Sequence, residues 1–219
     1  MEQQHTQLIE RPIVIAICGK SAVGKDTLAR WLTTYFSSLG LYTHNMISCT
    51  TRPPRAKEED GEDYYFLNDE EFIELIHDKS FIECTMFRGW HYGVRYNEVK
   101  SGRINIGVFN VGGLKSLESK KIKYHIIPIY LNEKLSTRLR RSREREGRWR
   151  LEYFRRAITD FFEFRNVKKT LGSFNGKYIM LDKVDGVWKQ GQIIANKMMK
   201  WGILIKDKET NEMRLGNFI

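Results

Sequence analysis

The segment that most constrains the fold of this chain runs from Ile13 to Thr27. Its first part, Ile13 to Cys18, is apolar and rich in β-branched residues, which is typical of a buried strand. A loop bounded by Gly19 and Gly24 follows, and Lys25 then opens a stretch with helical spacing. Glycines let backbone N–H groups curve around an anion, and a helix N-terminus adds partial positive charge. The segment therefore predicts a strand, an anion-binding loop and a helix in succession.

This loop is close to the nucleotide-binding P-loop, with one departure. In a P-loop the lysine reaches the outer phosphates, and the hydroxyl residue that follows it binds Mg²⁺. Here Asp26 stands in that place and Thr27 comes one residue later, so we assign Mg²⁺ to these two side chains. The residues predicted to bind ATP are Gly19, Ala22, Val23, Gly24, Lys25, Asp26 and Thr27.

Composition narrows the class of protein. A chain of 219 residues that is 41% hydrophobic can bury one substantial core. The segment 1–10 is polar and carries two acids, so we expect neither a signal peptide nor a membrane span. Cys18, Cys49 and Cys84 form no CxxC pair and are expected to be small buried residues in a reducing compartment. These features predict a cytoplasmic protein without a structural metal.

The basic residues are concentrated in one stretch. The formal net charge is +10, and seven arginines lie between positions 138 and 150. Such a run is often a solvated helical face. Beside a phosphate-binding loop, the alternative is a clamp for nucleotide phosphates. A nucleic-acid binder is a further alternative, which the local clustering disfavours.

A second candidate anion site follows position 48. Pro53 and Pro54 stiffen the backbone in extended form, so Arg52 and Arg55 are held rather than left mobile. Guanidinium forks bind phosphate oxygens bidentately. Taken alone, this stretch could equally be a solvated loop.

The remaining patterns alternate between strand and helix. Asn68 and Glu71 are spaced as a capping box, and 81–87 alternates as a strand with Ile82, Cys84 and Met86 on one side and Glu83 on the other. An aromatic turn is predicted at 89–93. Further strands are predicted at 43–48, 104–111, 123–131 and 178–181. Two helices are predicted to start at 114 and 135, and two more to span 151–166 and 188–201. The segment 203–219 is predicted to be a hairpin or a docked tail.

Several of these residues together resemble the nucleotide-binding segment of guanylate kinases. They are Ser48-x-x-x-Arg52-x-Pro54-Arg55, Asp60-Gly61-x-Asp63-Tyr64-x-Phe66, Glu70-Glu71-Phe72, Phe81-Ile82-Glu83 and Tyr92-Gly93. The resemblance implies that Ser48 and Glu83 read the guanine edge, and that Arg52, Arg55, Tyr64 and Tyr92 bind the GMP phosphate. A carboxylate accepts from both guanine N1–H and the 2-amino group, which adenine does not offer. Leaving it unpaired costs about 1–3 kcal/mol.

The chain departs from this family at three places. Val94 stands where a hydroxyl residue usually helps to hold the base, and Val108 and Asn110 stand where the family has acids. We hypothesise that Asp26 supplies the charge lost there. Phage-type deoxynucleotide kinases are similar in having Lys-Asp-Thr at the end of this loop, so the exchange need not abolish activity. The alternative is that Asp26 only stabilises the helix N-terminus.

The resemblance implies an α/β P-loop kinase with a three-layer fold, a mostly parallel sheet, an inserted nucleoside-monophosphate-binding subdomain and an arginine-rich lid. We place the core at 11–47, 96–137 and 151–201, the subdomain at 48–95, the lid at 138–150 with a mobile loop from 144, and a C-terminal extension at 202–219. We keep open whether that extension contacts a second copy in a homo-oligomer.

The implied reaction is in-line phosphoryl transfer from ATP, with Mg²⁺, to GMP or dGMP. The predicted catalytic residues are Lys25, Arg52, Arg138, Arg141 and Arg156. Two alternatives remain at this point: a broader-specificity deoxynucleoside monophosphate kinase, and an inactive module that binds phosphopeptides. The expected partners are ATP and a guanine nucleoside monophosphate, with no membrane and no nucleic acid.

Overall fold

The computed structural model describes residues 11–146, 151–184, 186–207 and 212–216. The strands are β1 (Ile13–Gly19), β2 (Thr43–Asn45), β3 (Cys49–Thr50), β4 (Tyr65–Phe66), β5 (Phe81–Phe87), β6 (Trp90–Arg95), β7 (Ile104–Phe109), β8 (His125–Asn132), β9 (Ile179–Asp182), β10 (Leu204–Lys206) and β11 (Met213–Leu215). The helices are α1 (Lys25–Ser38), α2 (Asp69–His77), α3 (Val111–Glu118), α4 (Leu135–Glu146), α5 (Leu151–Glu163), α6 (Val167–Gly172) and α7 (Val187–Lys200).

Strand β1 lies at the centre of the molecule, and all seven of its residues are buried. Ile13, Ile15 and Ile17 belong to a hydrophobic cluster that includes residues of α1 and α7. The alternate residues of the strand pack in a second cluster with residues of α3 and α6. Because both faces are covered by helices, the strand is continuously apolar rather than alternating.

The central sheet has the order β2-β7-β1-β8-β9. Each of its pairings is parallel, with Ile15 opposite Ile106 on one side and Ile127 on the other. Helices on both faces make three layers, so the predicted α/β fold with a mostly parallel sheet is confirmed. The carboxyl ends of parallel strands meet at one edge, where ligands of such folds bind. The loop after β1 lies at this edge.

A smaller sheet has the order β4-β3-β6-β5. Its core contains Cys49, Phe72 and Phe81, and the two phenylalanine rings stack with centroids 4.6 Å apart. The predicted capping box at the start of α2 is present: Asn68 accepts from the Glu71 amide, and the Glu71 carboxylate accepts from the Asn68 amide, both at 2.8 Å.

Three local expectations were wrong. The predicted aromatic turn at 89–93 is confined to Arg88 and Gly89, whose positive φ values of 56° and 79° close a two-residue hairpin before β6 begins. Cys84 is exposed, whereas Cys18 and Cys49 are buried, because the second half of β5 presents one face to solvent. Helix α3 begins at Val111 rather than Leu114, since the Asn110 side chain caps it.

The C-terminal region and the arginine-rich region have regular structure. The predicted hairpin is present as β10 and β11, and Met213 and Leu215 pack against the same cluster as α7. Residues 144–146, predicted to be a mobile loop, belong to α4. The rest of that predicted loop, 147–150, lies outside the described residues. Within the described ranges, no helix is long and apolar enough to cross a membrane.

Candidate active site

The loop between β1 and α1 is held in a curved conformation. Gly24 precedes the first residue of α1 with φ 102°, a left-handed conformation that costs a residue with a Cβ about 1–2 kcal/mol. Ala22 also has a positive φ, 58°, although it is not a glycine. The loop therefore has the sharp curvature that points backbone N–H groups at an anion.

Lys25 folds back over this loop. Its Nζ donates to the carbonyl oxygens of Gly19 at 2.9 Å and Lys20 at 3.4 Å. Desolvation lowers the pKa of its ammonium group, whereas the nearby carboxylates of Asp26 and Asp160 raise it. A phosphate entering the loop would compete with these carbonyl oxygens for the lysine.

A cavity of about 220 Å³ lies in front of the loop and joins distant parts of the sequence. The predicted site residues that line it are Gly19, Ala22, Lys25, Asp26, Ser48, Arg52, Arg55, Tyr64, Glu83, Tyr92 and Arg156. A neighbouring cavity of about 620 Å³ shares Asp26, Ser48, Arg55, Tyr64 and Arg156. Val23, Gly24, Thr27, Arg138 and Arg141 line neither cavity.

Glu83 is the most unusual group in the cavity. It is 5% exposed, and within the described part of the chain its Oε2 has no hydrogen-bond partner. Burial raises the pKa of this carboxyl to about 8, although a hydrogen bond from the Val94 backbone lowers it. Val94 itself is fully buried and apolar. An unpartnered buried acid that faces a cavity is suited to a ligand with N–H donors.

Two arginines of the extended loop are held together by Glu58. Arg52 donates to both carboxylate oxygens of Glu58, at 3.1 and 2.9 Å, and Arg55 donates to it from its backbone at 2.8 Å and from its side chain at 3.1 Å. Hydrogen bonds and charge from the arginines lower the pKa of Glu58 despite the opposing effect of burial. The guanidinium groups are thereby fixed beside the cavity.

Two tyrosines complete this side of the cavity. The Tyr64 and Tyr92 rings make an edge contact with centroids 6.3 Å apart, and the Arg52 guanidinium lies 5.3 Å from the Tyr64 ring centroid. Burial, with smaller contributions from Asp26 and Tyr92, raises the pKa of Tyr64. Its phenol therefore remains a neutral hydrogen-bond donor.

Two arginines of α4, Arg138 and Arg141, contact the backbone of the loop and do not line the cavity. Arg138 donates to the Ser21 carbonyl at 3.2 Å and to Asp160 at 2.8 Å, and Arg141 donates to the Val23 carbonyl at 2.9 Å. Arg156, on α5, is the one of the three predicted lid arginines that lines both cavities. Arg138 and Arg141 therefore tie the first half of α4 to the loop.

Three carboxylates of the cavity, those of Asp26, Asp160 and Glu163, lie close enough to Lys25 to raise the pKa of its ammonium group, against the larger effect of burial. Asp26 is exposed and lines both cavities, and its carboxylate accepts no hydrogen bond from the described residues. Val108 lines the cavities, and Asn110 uses its side-chain oxygen to accept from the Gly113 amide at 2.8 Å. Within the described ranges, no group of three or more His, Cys, Asp or Glu residues is arranged to hold a metal ion.

Among the residues that sequence reasoning missed at this site are Glu58, Arg88, Asp160 and Glu163. Glu58 lies three residues after Arg55, a spacing at which an ion pair could have been anticipated. No local signal marked Asp160, because its partner Ser21 lies 139 positions away in the chain.

The fold and this cavity define a P-loop nucleotide-binding protein of the α/β class. A family model described as guanylate kinase matches residues 9–164, and the chain belongs to the guanylate kinase family. The guanylate kinase of Lawsonia intracellularis is 46% identical over 79 residues, which cover 36% of this chain and 35% of that protein. The guanylate kinase of a Nostoc species is 34% identical over 134 residues, covering 58% of this chain and 65% of that protein.

These matches span about one third to two thirds of the length of the curated relatives. A crystal structure of guanylate kinase from Anaplasma phagocytophilum has a similar fold. It matches with a TM-score of 0.62 at 20% identity and covers 92% of this chain and 89% of that one. The fold likeness therefore extends over most of the chain, beyond the segment in which sequence identity is high.

Proposed function

We propose that this protein transfers the γ-phosphoryl group of ATP to GMP or dGMP, giving ADP and GDP or dGDP. The observation that carries the proposal is Glu83, a buried carboxyl with an unpartnered oxygen in the same cavity as Lys25. A guanine base would satisfy this oxygen with its N1–H or 2-amino group. Adenine would leave it unpaired.

The acceptor is bound on the side of the cavity formed by the smaller sheet. Ser48 donates its hydroxyl to the guanine O6, and Glu83 accepts from the other polar atoms of that edge. Arg52, Arg55, Tyr64 and Tyr92 bind the acceptor phosphate. Support comes from their common cavity and from Glu58, which already holds both guanidinium groups in place and so reduces the entropy lost on binding.

The ATP phosphates bind in the loop of residues 19–27. Lys25 leaves its carbonyl partners for the outer phosphates, and Arg156 faces the transferred group from α5. Arg138 and Arg141 are bound to carbonyls of the loop, so we assign them to the lid of residues 138–150 that closes over ATP. The segment 48–95 is assigned as the acceptor-binding subdomain.

The residues present fit a magnesium ion shared with ATP. Mg²⁺ is commonly held by one or two carboxylates together with substrate phosphates and water. The Asp26 carboxylate lines the cavity with unused oxygens and would hold the ion, whereas Thr27 lies outside the cavity lining and would contribute only after a local rearrangement. When bound, Mg²⁺ neutralises charge on the phosphates.

Catalysis rests on alignment and charge rather than on a general base. An acceptor phosphate oxygen is already anionic; it attacks the γ-phosphorus while the bond to the β,γ-bridging oxygen breaks and ADP leaves with that electron pair. Lys25 and the arginines stabilise the charge spread over the transferred group. Lid closure excludes water that would otherwise hydrolyse ATP. We further infer a cytoplasmic location, which the free thiols support.

The test is a coupled assay of ADP formation with GMP, dGMP, AMP and dTMP as acceptors. We expect kcat/KM for GMP or dGMP to exceed that for AMP by at least about 100-fold, because a site built to pair a polar edge rejects a base that lacks it. Lys25→Ala should abolish turnover, and Lys200→Ala, at an exposed lysine, should not. Equal rates with all four acceptors would indicate a broad-specificity kinase. No Lys25-dependent ADP formation would refute enzymatic function.

A further inference from the structure

Two consecutive peptide groups of the phosphate-binding loop, those on either side of Ser21, are held by an ion pair between α4 and α5. The Asp160 carboxylate accepts from the Ser21 amide at 2.9 Å, and Arg138 donates to the Ser21 carbonyl at 3.2 Å. Asp160 and Arg138 bond to each other at 2.8 Å. The two side chains therefore hold the amide and the carbonyl of one loop residue.

This ion pair is deeply buried. Asp160 is 1% exposed and Arg138 is 7% exposed. Asp160 also accepts from the Ser21 hydroxyl at 3.0 Å and from Arg88 at 3.3 Å, so its carboxylate takes part in four hydrogen bonds. Breaking a buried pair by neutralising one partner is costly, because the other charge remains buried.

The loop conformation needs such support at the next residue. Ala22 has φ 58°, in the left-handed region that alanine rarely adopts. Without external restraint, an alanine at this position would move toward right-handed or extended conformations. Fixing the amide and the carbonyl of Ser21 restricts the two peptide groups that precede Ala22.

We propose that Asp160 is a positioning residue that, with Arg138, preforms the phosphate-binding loop by holding the backbone amide and the backbone carbonyl of Ser21. This inference rests on the proposed function only in taking ATP as the ligand of the loop. Asp160 lines the cavity, but in this assignment it contacts the loop and the arginines rather than a substrate. It acts through the backbone of the loop, so its loss raises the dissociation constant for ATP and leaves GMP binding unchanged.

The decisive experiment measures ATP and GMP binding by calorimetry in Asp160→Asn, Ala22→Gly and the double variant. Asp160→Asn should weaken ATP binding about tenfold, in line with the loss of hydrogen bonds to a charged group. Glycine adopts a positive φ freely, so in the Ala22→Gly background the same change should weaken ATP binding by less than about threefold. Asp78→Asn, at an exposed acid on α2's C-terminal cap, is the matched control and should change neither affinity.

An equal loss of ATP affinity in both backgrounds would overturn the proposal, because a general destabilisation does not depend on residue 22. Unchanged ATP affinity in Asp160→Asn would also overturn it. If Asp160→Asn does not fold, Arg138→Gln is used instead, because it removes the charged donor to the Ser21 carbonyl. Its loss of ATP affinity should likewise be smaller in the Ala22→Gly background. Wild-type protein that binds ATP but does not phosphorylate GMP would refute the proposed function and leave the role of Asp160 to be judged by the ATP affinities.

Discussion

The protonation of Glu83 makes a quantitative prediction about GMP binding. Burial raises the pKa of this carboxyl to about 8 in the ligand-free protein. The guanine edge presents two N–H donors, and an ionised carboxylate can accept from both of them. A protonated carboxyl carries an O–H donor of its own, which would face one of the guanine donors and leave it without an acceptor. GMP binding should therefore release a proton whenever the pH lies below about 8.

The magnitude follows from the titration. With a pKa of about 8, the ionised fraction is about 1% at pH 6 and about one half at pH 8, which is a difference of about 50-fold. GMP affinity should rise by about that factor over this range and change little above it. The corresponding free energy is about 1.4 kcal/mol for each pH unit well below the pKa.

Calorimetric titration of GMP at pH 6, 7 and 8, in buffers with different heats of ionisation, measures the affinity and the protons released. At pH 7 we expect about 0.9 proton released per GMP by the Glu83 carboxyl. Glu83→Gln is the control, because it keeps the size of the side chain but removes the titration and leaves only the ionisation of the GMP phosphate. Wild-type protein whose affinity follows the same pH dependence as Glu83→Gln would refute the reasoning.

Three further predictions concern other parts of the molecule. Arg52 and Arg55 lower the pKa of Glu58, so the stabilisation from its carboxylate is present above the unfolded pKa of about 4.3 and is lost as pH falls below it. The difference in melting temperature between wild type and Glu58→Gln should therefore become smaller from pH 7 to pH 3. Asp26→Ala, which unlike a serine leaves no side-chain oxygen for the metal, should raise the Mg²⁺ concentration for half-maximal rate about tenfold. An unchanged Mg²⁺ dependence and turnover would leave Asp26 only a helix-terminal role. Gly191→Ala should destabilise the protein by about 1–3 kcal/mol in chemical denaturation, because a Cβ there would overlap the Trp31 ring. Gly172→Ala is its control, since a Cβ there has open space around it.

Local sequence patterns determined the first part of this protein. The apolar run before Gly19, the glycines of the loop and the helical spacing after Lys25 predicted β1, an anion-binding loop and α1. The structure contains the strand and the helix, joined by a loop with positive φ at Ala22 and Gly24. The capping box at Asn68 was equally local. These features were predictable because each is formed by residues only a few positions apart, so their types and spacing are enough to indicate the local backbone conformation and hydrogen bonds.

For the side of the cavity predicted to bind GMP, the sequence indicated which residues take part but not how they are arranged in space. Ser48, Arg52 and Glu83 were singled out from their order along the chain, and the structure brings them to one cavity. The burial of Glu83 and its raised pKa were not readable from the alternation of β5, since exposed and buried positions change partway along that strand. Which face of a strand is covered depends on the elements that pack against it.

The arginines predicted to form a lid show what only the tertiary structure decided. The density of arginines after position 137 indicated phosphate binding or a solvated face, yet Arg138 is buried in an ion pair with Asp160, on a different helix. The contact between Ser21 and Asp160 joins residues 139 positions apart. The sequence by itself determined the strand, the loop and the chemical types of the site residues. The packing of α4 and α5 against the loop determined which charges neutralise one another and which remain for a ligand, because buried ion pairs form between side chains that only the assembled fold brings within hydrogen-bond distance.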